Sequence, residues 1–314
     1  MLNVLIKGFG VSSLVTAWEL HKYGHKITIS SPICSPIGSA SWYAGGMLAP
    51  FCEREAADIF VQQKGIDAIK WWKENFPSFV KTKGTIVIAT ERDNPELHRF
   101  ANVTEHYSWL KKSEIAELEP HIADRFDTAL FYKEEAHLDP RKVLNFIKTE
   151  LNNKGVTYVT SANPKDFDYI IDCTGKHRIG IDKDLRPIRG EMLIIKSDEI
   201  KINRSIRFLH PRIPIYLVPR DQNQFMIGAT MIESGSNEPI SSRSMMEFLN
   251  SAYSIHPAFA AAHIIEASVG IRPAYPNNLP KIIQCGKTIF INGLYRHGYL
   301  LTPYLAQEIT SLIK

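Results

Sequence analysis

An α/β fold, with a Rossmann-like parallel sheet interleaved with an antiparallel-sheet α+β unit, is the class this sequence predicts. Three observations point there. The chain opens on a strand, a Gly-x-Gly turn, a helix and a second strand, all within residues 1–30. β-rich and helical runs then follow one another to about residue 175. From Glu191 to Ile227 come closely spaced β-rich runs, antiparallel in style, which suggest a second sheet inserted between segments of the first.

The elements follow in order. Leu2 to Lys7 is a short β-rich run ending at Gly8-Phe9-Gly10, and Val11 to Leu20 carries apolar residues at helical spacing until Gly24 closes the helix. Lys26-Ile27-Thr28-Ile29-Ser30 reads as the second strand. Gly8 permits the tight turn, and Gly10 lets the backbone approach a pyrophosphate at the positive end of the helix. Two positions depart from the full dinucleotide fingerprint: Ser13 stands where a third glycine packs helix on strand, and Ser31 follows the second strand where an acid would bind ribose hydroxyls. By itself the turn serves equally well in a parallel α/β protein that holds no ligand. Residues 31–50 are small, Pro/Gly-rich and aperiodic, which after such a strand implies function. A helix is expected over about 55–75, a strand over Gly84–Ala89 and a helix from Asp93 to Tyr107. Asp139-Pro140 is an N-cap followed by a first-turn proline, starting a helix that runs to about Asn153. Strands follow over Val156–Val159 and Asp168–Asp172, the latter ending in the small-residue turn Cys173-Thr174-Gly175. Thr302-Pro303 reads as a second such helix start, with that helix reaching about Ile313.

Composition bounds the function. A chain of 314 residues, 44% hydrophobic and 22% charged, holds about two domains and buries a large core, so general disorder is excluded. Lys and Arg number 37 against 33 Asp and Glu, a net +4 with no run of five like charges, so nothing asks for nucleic acid. Cys34, Cys52, Cys173 and Cys285 form no CxxC pair; neither a metal cluster nor a disulfide framework is expected, which fits a reducing compartment. Apolar stretches fall short of the ~18–20 residues that span a bilayer, and Gly8 and Gly10 interrupt any leader-like run. The expectation is a cytoplasmic protein that binds neither nucleic acid nor membrane.

Later motifs are Ser41-Trp42-Tyr43-Ala44-Gly45-Gly46-Met47-Leu48-Ala49-Pro50, Arg189-Gly190-Glu191, Tyr216-Leu217-Val218-Pro219-Arg220 and Gly228-Ala229-Thr230. They continue with Gly270-Ile271-Arg272-Pro273 and Gly293-Leu294-Tyr295-Arg296-His297-Gly298-Tyr299-Leu300-Leu301. In this order, and nearly end to end, the chain resembles the D-amino-acid oxidase family of FAD-dependent amine oxidases, and within it the glycine oxidases. The resemblance implies FAD-dependent oxidative deamination of glycine or a small amino acid, giving the imine or glyoxylate and hydrogen peroxide and supplying thiamine thiazole synthesis. A sarcosine or D-amino-acid oxidase, a dehydrogenase of the same family and a non-catalytic flavin-fold protein remain the alternatives. Homo-oligomerisation stays open.

The resemblance also implies roles. Arg272 matches the arginine that takes the substrate carboxylate, Tyr216 a hydroxyl that assists it, and Arg296 a second active-site arginine, with Ala49 beside the substrate. The FAD site would comprise Gly8, Gly10, Val11 and Ser12 at the first turn, then Ser31, Ser41, Gly45, Gly46 and Met47. Gly175, His297, Gly298, Tyr299 and Leu300 would complete it. Gly45-Gly46 would pack hard against the flavin ring, where a Cβ would collide. His297 is not expected to act as a base, a loop histidine being usually solvated. The FAD should be non-covalent, since only Cys34 and Cys52 lie near the expected flavin loop. Segments 1–75, 136–185 and 268–314 would form the FAD domain, and 76–135 and 186–267 the substrate domain.

Overall fold

The structure, a computed structural model, describes residues 1–210 and 214–313. Val4, Leu5 and Ile6 are fully buried in the first strand, Asn3–Lys7, as an unbroken apolar run should be when a parallel sheet is covered on both faces. That strand sits inside a six-stranded sheet ordered Lys281–Cys285, Thr288–Asn292, Tyr169–Asp172, Asn3–Lys7, Lys26–Ser30, Thr157–Val159. All neighbours are parallel except the first pair, a hairpin. The helices Val11–Lys22, Ile59–Asn75, Pro140–Asn153 and Gly298–Leu312 supply the apolar side chains that share a core with it. Asp139 caps the third of these as its Asp-Pro signature requires, accepting from the amides of Arg141 and Lys142.

A larger sheet takes nine strands: Ile232–Glu233, Arg186–Lys196, Gln224–Gly228, Ile215–Pro219, Ser205–Leu209, Thr85–Ala89, Thr128–Tyr132 and Ser108–Lys111 in that order, with His263–Ala274 also paired to Arg186–Lys196. Its one parallel neighbouring pair is Ser205–Leu209 with Thr85–Ala89; the rest are antiparallel. The helix Ser242–Ile255 packs Phe248, Ala252 and Ile255 onto it.

Two expected helices are corrected. The one read from Asp93 to Tyr107 spans Asn94–Val103 and gives way to the strand Ser108–Lys111, because Thr104 breaks from helical backbone and turns its hydroxyl to the Phe100 carbonyl. The C-terminal helix begins at Gly298, not at Thr302: the His297 carbonyl already accepts from the amides of Leu300 and Leu301. Pro303 therefore lies inside the helix. Its missing N–H would orphan the Tyr299 carbonyl, but the Trp72 indole N–H donates to that oxygen at 2.8 Å.

Candidate functional site

A cavity of about 610 Å³ opens where Asn3–Lys7, Lys26–Ser30 and Tyr169–Asp172 end, and residues of the large sheet close its other side. Ligands in open parallel sheets bind at such carboxyl ends. Gly8 has φ +106°, and a Cβ there would stand 2.6 Å from the Cys173 carbonyl oxygen, so only glycine makes this turn. Two helices aim their first turns at the cavity, through Val11 and Ser12 in one case and Gly298, Tyr299 and Leu300 in the other. Neither Gly10 nor His297 caps its helix with a side chain; Val11 N–H donates to Ser41 Oγ at 3.1 Å. Apart from the Leu300 amide, taken by the His297 carbonyl, and the Val11 amide, taken by Ser41, first-turn amides lack intrahelical acceptors, so both ends are disposed toward negative charge.

This cradle fits FAD. A glycine-walled turn with helix amides suits a pyrophosphate, and the second helix end suits a ring that gains negative charge on reduction. Glu53 is the sole acid among the described residues that line the cavity, so no carboxylate replaces the one missing at Ser31.

The substrate-side wall comes from the large sheet. Strand pairing sets Tyr216 opposite Gly228 and Arg272 opposite Ile188. A Cβ on Gly190 would strike the Arg272 guanidinium at 2.2 Å, so that glycine makes room for it. Arg272 Nη1 donates to the Thr230 carbonyl at 3.0 Å, and the Glu191 amide holds the Thr230 hydroxyl at 2.9 Å. No carboxylate pairs with Arg272 among the described residues, and burial pulls its pKa down without threatening an arginine's charge. Arg296 differs. Its Nε donates to Glu53 Oε2 at 2.6 Å, its Nη1 approaches Met231 Sδ at 3.2 Å, and its Nη2 is buried with no partner among the described residues. Glu53 also accepts from His297 Nε2 at 2.9 Å and Arg207 Nη1 at 3.2 Å. Burial alone would raise its pKa, but Arg296, His297 and Arg207 together hold it well below the usual carboxylate range. Burial pushes Tyr216 up, so it stays a neutral hydroxyl.

Every residue named for the site lines this cavity except one: Ala49, Tyr216, Arg272 and Arg296 on the substrate side, Gly8, Gly10, Ser31, Ser41, Gly45, Gly46, Met47 and Gly175 among the others. The exception is His297. It is 3% exposed, not a solvated loop residue, and stands behind Arg296 on Glu53. Protein alone already constrains the glycine pair. Gly46 has φ +71°, and its Cβ would meet the Leu138 carbonyl at 2.2 Å and Pro140 at 2.8 Å, while a Cβ on Gly45 would meet the Tyr216 ring at 2.7 Å. Both glycines also line the cavity. Arg220 fixes the same segment by donating to the Gly45 carbonyl at 2.7 Å. Sequence reasoning missed Glu53, Tyr295 and Met231, although two of them stand just past quoted motifs, three residues after Pro50 and one after Thr230.

The comparisons with known proteins agree with this geometry. The DAO family, described as FAD dependent oxidoreductase, matches residues 3–312. A Rhizobium etli protein carrying the name thiamine biosynthesis oxidoreductase ThiO is 46% identical over 98% of this chain and 95% of its own length. Among solved structures, glycine oxidase from Bacillus cereus aligns with a TM-score of 0.84 at 19% identity, covering 100% of this chain and 95% of that one. Glycine oxidase from Geobacillus kaustophilus aligns with a TM-score of 0.81 at 21% identity over 99% and 95%. No helix among the described residues is long and apolar enough to cross a membrane.

Proposed function

The chain belongs to the family of FAD-dependent oxidoreductases, and from that premise we propose that it oxidises the Cα–N bond of glycine or a similarly small amino acid. The imine formed would hydrolyse to glyoxylate or feed thiazole formation in thiamine synthesis, the role carried in the name of the Rhizobium etli relative, while oxygen leaves as hydrogen peroxide. The observation that carries this reading is Arg272: a half-buried guanidinium at the cavity wall, held by the Thr230 carbonyl and paired with no carboxylate among the described residues. A cation largely withdrawn from water with no opposite charge beside it favours an anionic ligand.

Arg272 would take the substrate carboxylate through its fork of donors, and the Tyr216 hydroxyl would add a neutral donor. Arg296 is already matched to Glu53, so the site favours one carboxylate over two. FAD, when bound, supplies the acceptor for the hydride. The residues hold the α-carbon in reach of it, and the first-turn amides of Gly298 and Tyr299 favour the negative charge that results. Among the described residues that line the cavity Cys173 is the only cysteine, and burial pushes its thiol up, which leaves it a poor nucleophile and supports non-covalent FAD. The division into FAD segments 1–75, 136–185 and 268–314 and substrate segments 76–135 and 186–267 is supported by which strands enter which sheet, although His263–Ala274 runs across one of these limits.

Anaerobic titration of the FAD-loaded protein with glycine, sarcosine, D-alanine and D-proline tests the reading. Glycine should bleach the visible flavin band, and air should restore it with peroxide formed. If none of the four bleaches a flavin that dithionite reduces, the amine-oxidase assignment is lost.

A further inference from the structure

We propose that Met231 is a modification site, at which hydrogen peroxide oxidises the thioether to the sulfoxide and weakens the hold of the site on a carboxylate substrate. This rests on the oxidase reading above, which places a source of peroxide in the same cavity.

Met231 is 49% exposed and lines the cavity, and its Sδ lies 3.1 Å from the Tyr295 hydroxyl and 3.2 Å from Arg296 Nη1. It thus joins an accessible sulfur to the site's own donors. The other methionines lack one or other property. Met1, 99% exposed, lies outside the cavity wall; Met192 and Met226 are buried, Met245 is half-buried and away from the cavity, and Met246, 59% exposed, lies on a helix outside the cavity wall. Met47 lines the cavity but is half-buried, and no hydrogen bond ties its sulfur to the arginines.

The chemistry balances with peroxide as oxidant. A sulfur lone pair attacks one peroxide oxygen, the O–O bond breaks as the S–O bond forms, and the second oxygen leaves as water with both protons. Sulfur gives up two electrons and peroxide gains them. The Tyr295 hydroxyl and the Arg296 guanidinium, which donate to the sulfur, would pass to the oxygen that it gains. The product is a different partner for Arg296. A thioether is a weak acceptor, whereas a sulfoxide oxygen is a strong one. It would compete with Glu53 for the guanidinium and draw Arg296 off that carboxylate while Arg272 stays on Thr230, so that a less neutralised Glu53 repels a carboxylate held at Arg272 in the same cavity. The expected result is a KM for glycine raised about tenfold, with kcat changed far less.

The test treats the FAD-loaded protein with hydrogen peroxide. Peptide masses then follow Met231 against Met246, and spectral perturbation of the flavin follows binding of glycolate, a carboxylate the enzyme need not turn over. Sulfoxide should accumulate at Met231 first, glycolate affinity should fall in step, and methionine sulfoxide reductase should restore it. Met231→Leu, judged against its own untreated affinity, should be indifferent to peroxide. Prior oxidation of Met246, unchanged glycolate affinity with Met231 fully oxidised, or equal losses in Met231→Leu would each overturn the proposal. These readouts need no turnover, so a protein that glycine fails to reduce would defeat the oxidase reading separately.

Discussion

Arg207, Arg272 and Arg296 line one cavity; Glu53 and Glu55 hold Arg207, and the neighbours of the other two divide the work between them. Glu53 takes up much of the charge of Arg296 and leaves Arg272 as the cation free to meet an anion. Removing Arg272 should therefore cost on the order of 2–5 kcal/mol, roughly 30- to several-thousand-fold in kcat/KM for glycine. Arg272→Lys should recover only part, since a point charge cannot reproduce the fork. Steady-state kinetics check this, with a carboxylate-free amine as control: its poor turnover should hardly change, and an equal loss on both would make Arg272 structural. Ser31 gives a second expectation. With Glu53, bound to Arg296, the sole acid among the described residues that line the cavity, Ser31→Glu should tighten FAD by contacting the ribose hydroxyls, and a dissociation constant that is unchanged or weaker would place the ribose elsewhere. Arg272 was legible because it stands in a compact motif. Glu53 was not, because the residues that give it meaning, Arg296 and His297, lie 243 and 244 positions away.

Elements were legible where their causes are local. The opening strand, turn, helix and strand announce themselves by glycine spacing and period, and Asp139-Pro140 by its capping chemistry. The long strands were less legible: Arg186–Lys196 was read only from Glu191 and His263–Ala274 not at all, because they are defined by pairing with each other, and neither the first, buried along most of its length, nor the second, exposed along its first half, alternates. The segment carrying Gly45 and Gly46 shows the same limit: its irregularity was visible, the neighbour that demands glycine was not. Gly46→Ala should cost about 1–2 kcal/mol for left-handed backbone alone, before the Leu138 carbonyl is displaced. Denaturant midpoints and FAD affinity should fall together in this variant. A loss of FAD at unchanged stability would make contact with the ligand, and not the protein neighbours, the reason for the glycine.

Over the whole molecule, stability against pH is shaped by two buried groups on either side of Ala136. Burial pushes Glu135 up to about 7 from an ordinary 4.5, against the pull of its bond from the Cys52 amide. Burial also pulls His137 down to about 3 from 6.5. The folded chain therefore keeps the Glu135 proton that the unfolded chain loses between 4.5 and 7, and stability from this group falls as pH rises through that window. His137 acts oppositely, since the unfolded chain binds a proton that the folded one refuses between 3 and 6.5, so its contribution rises with pH. Glu135→Gln should gain on the parent protein steadily from pH 4.5 to 7 in chemical denaturation, and a constant difference across that range would refute the assignment. The Trp72–Tyr299 bond, between residues 227 apart, reaches further than energetics. While Pro303 withholds an amide, losing Trp72 would leave the Tyr299 carbonyl unpaired, at a cost of about 1–3 kcal/mol; were position 303 to become alanine, the helix would satisfy Tyr299 itself and the tryptophan could drift. Descendants of this chain can lose the proline first and the tryptophan second at less cost than in the reverse order, so the history of one site is written into the freedom of the other.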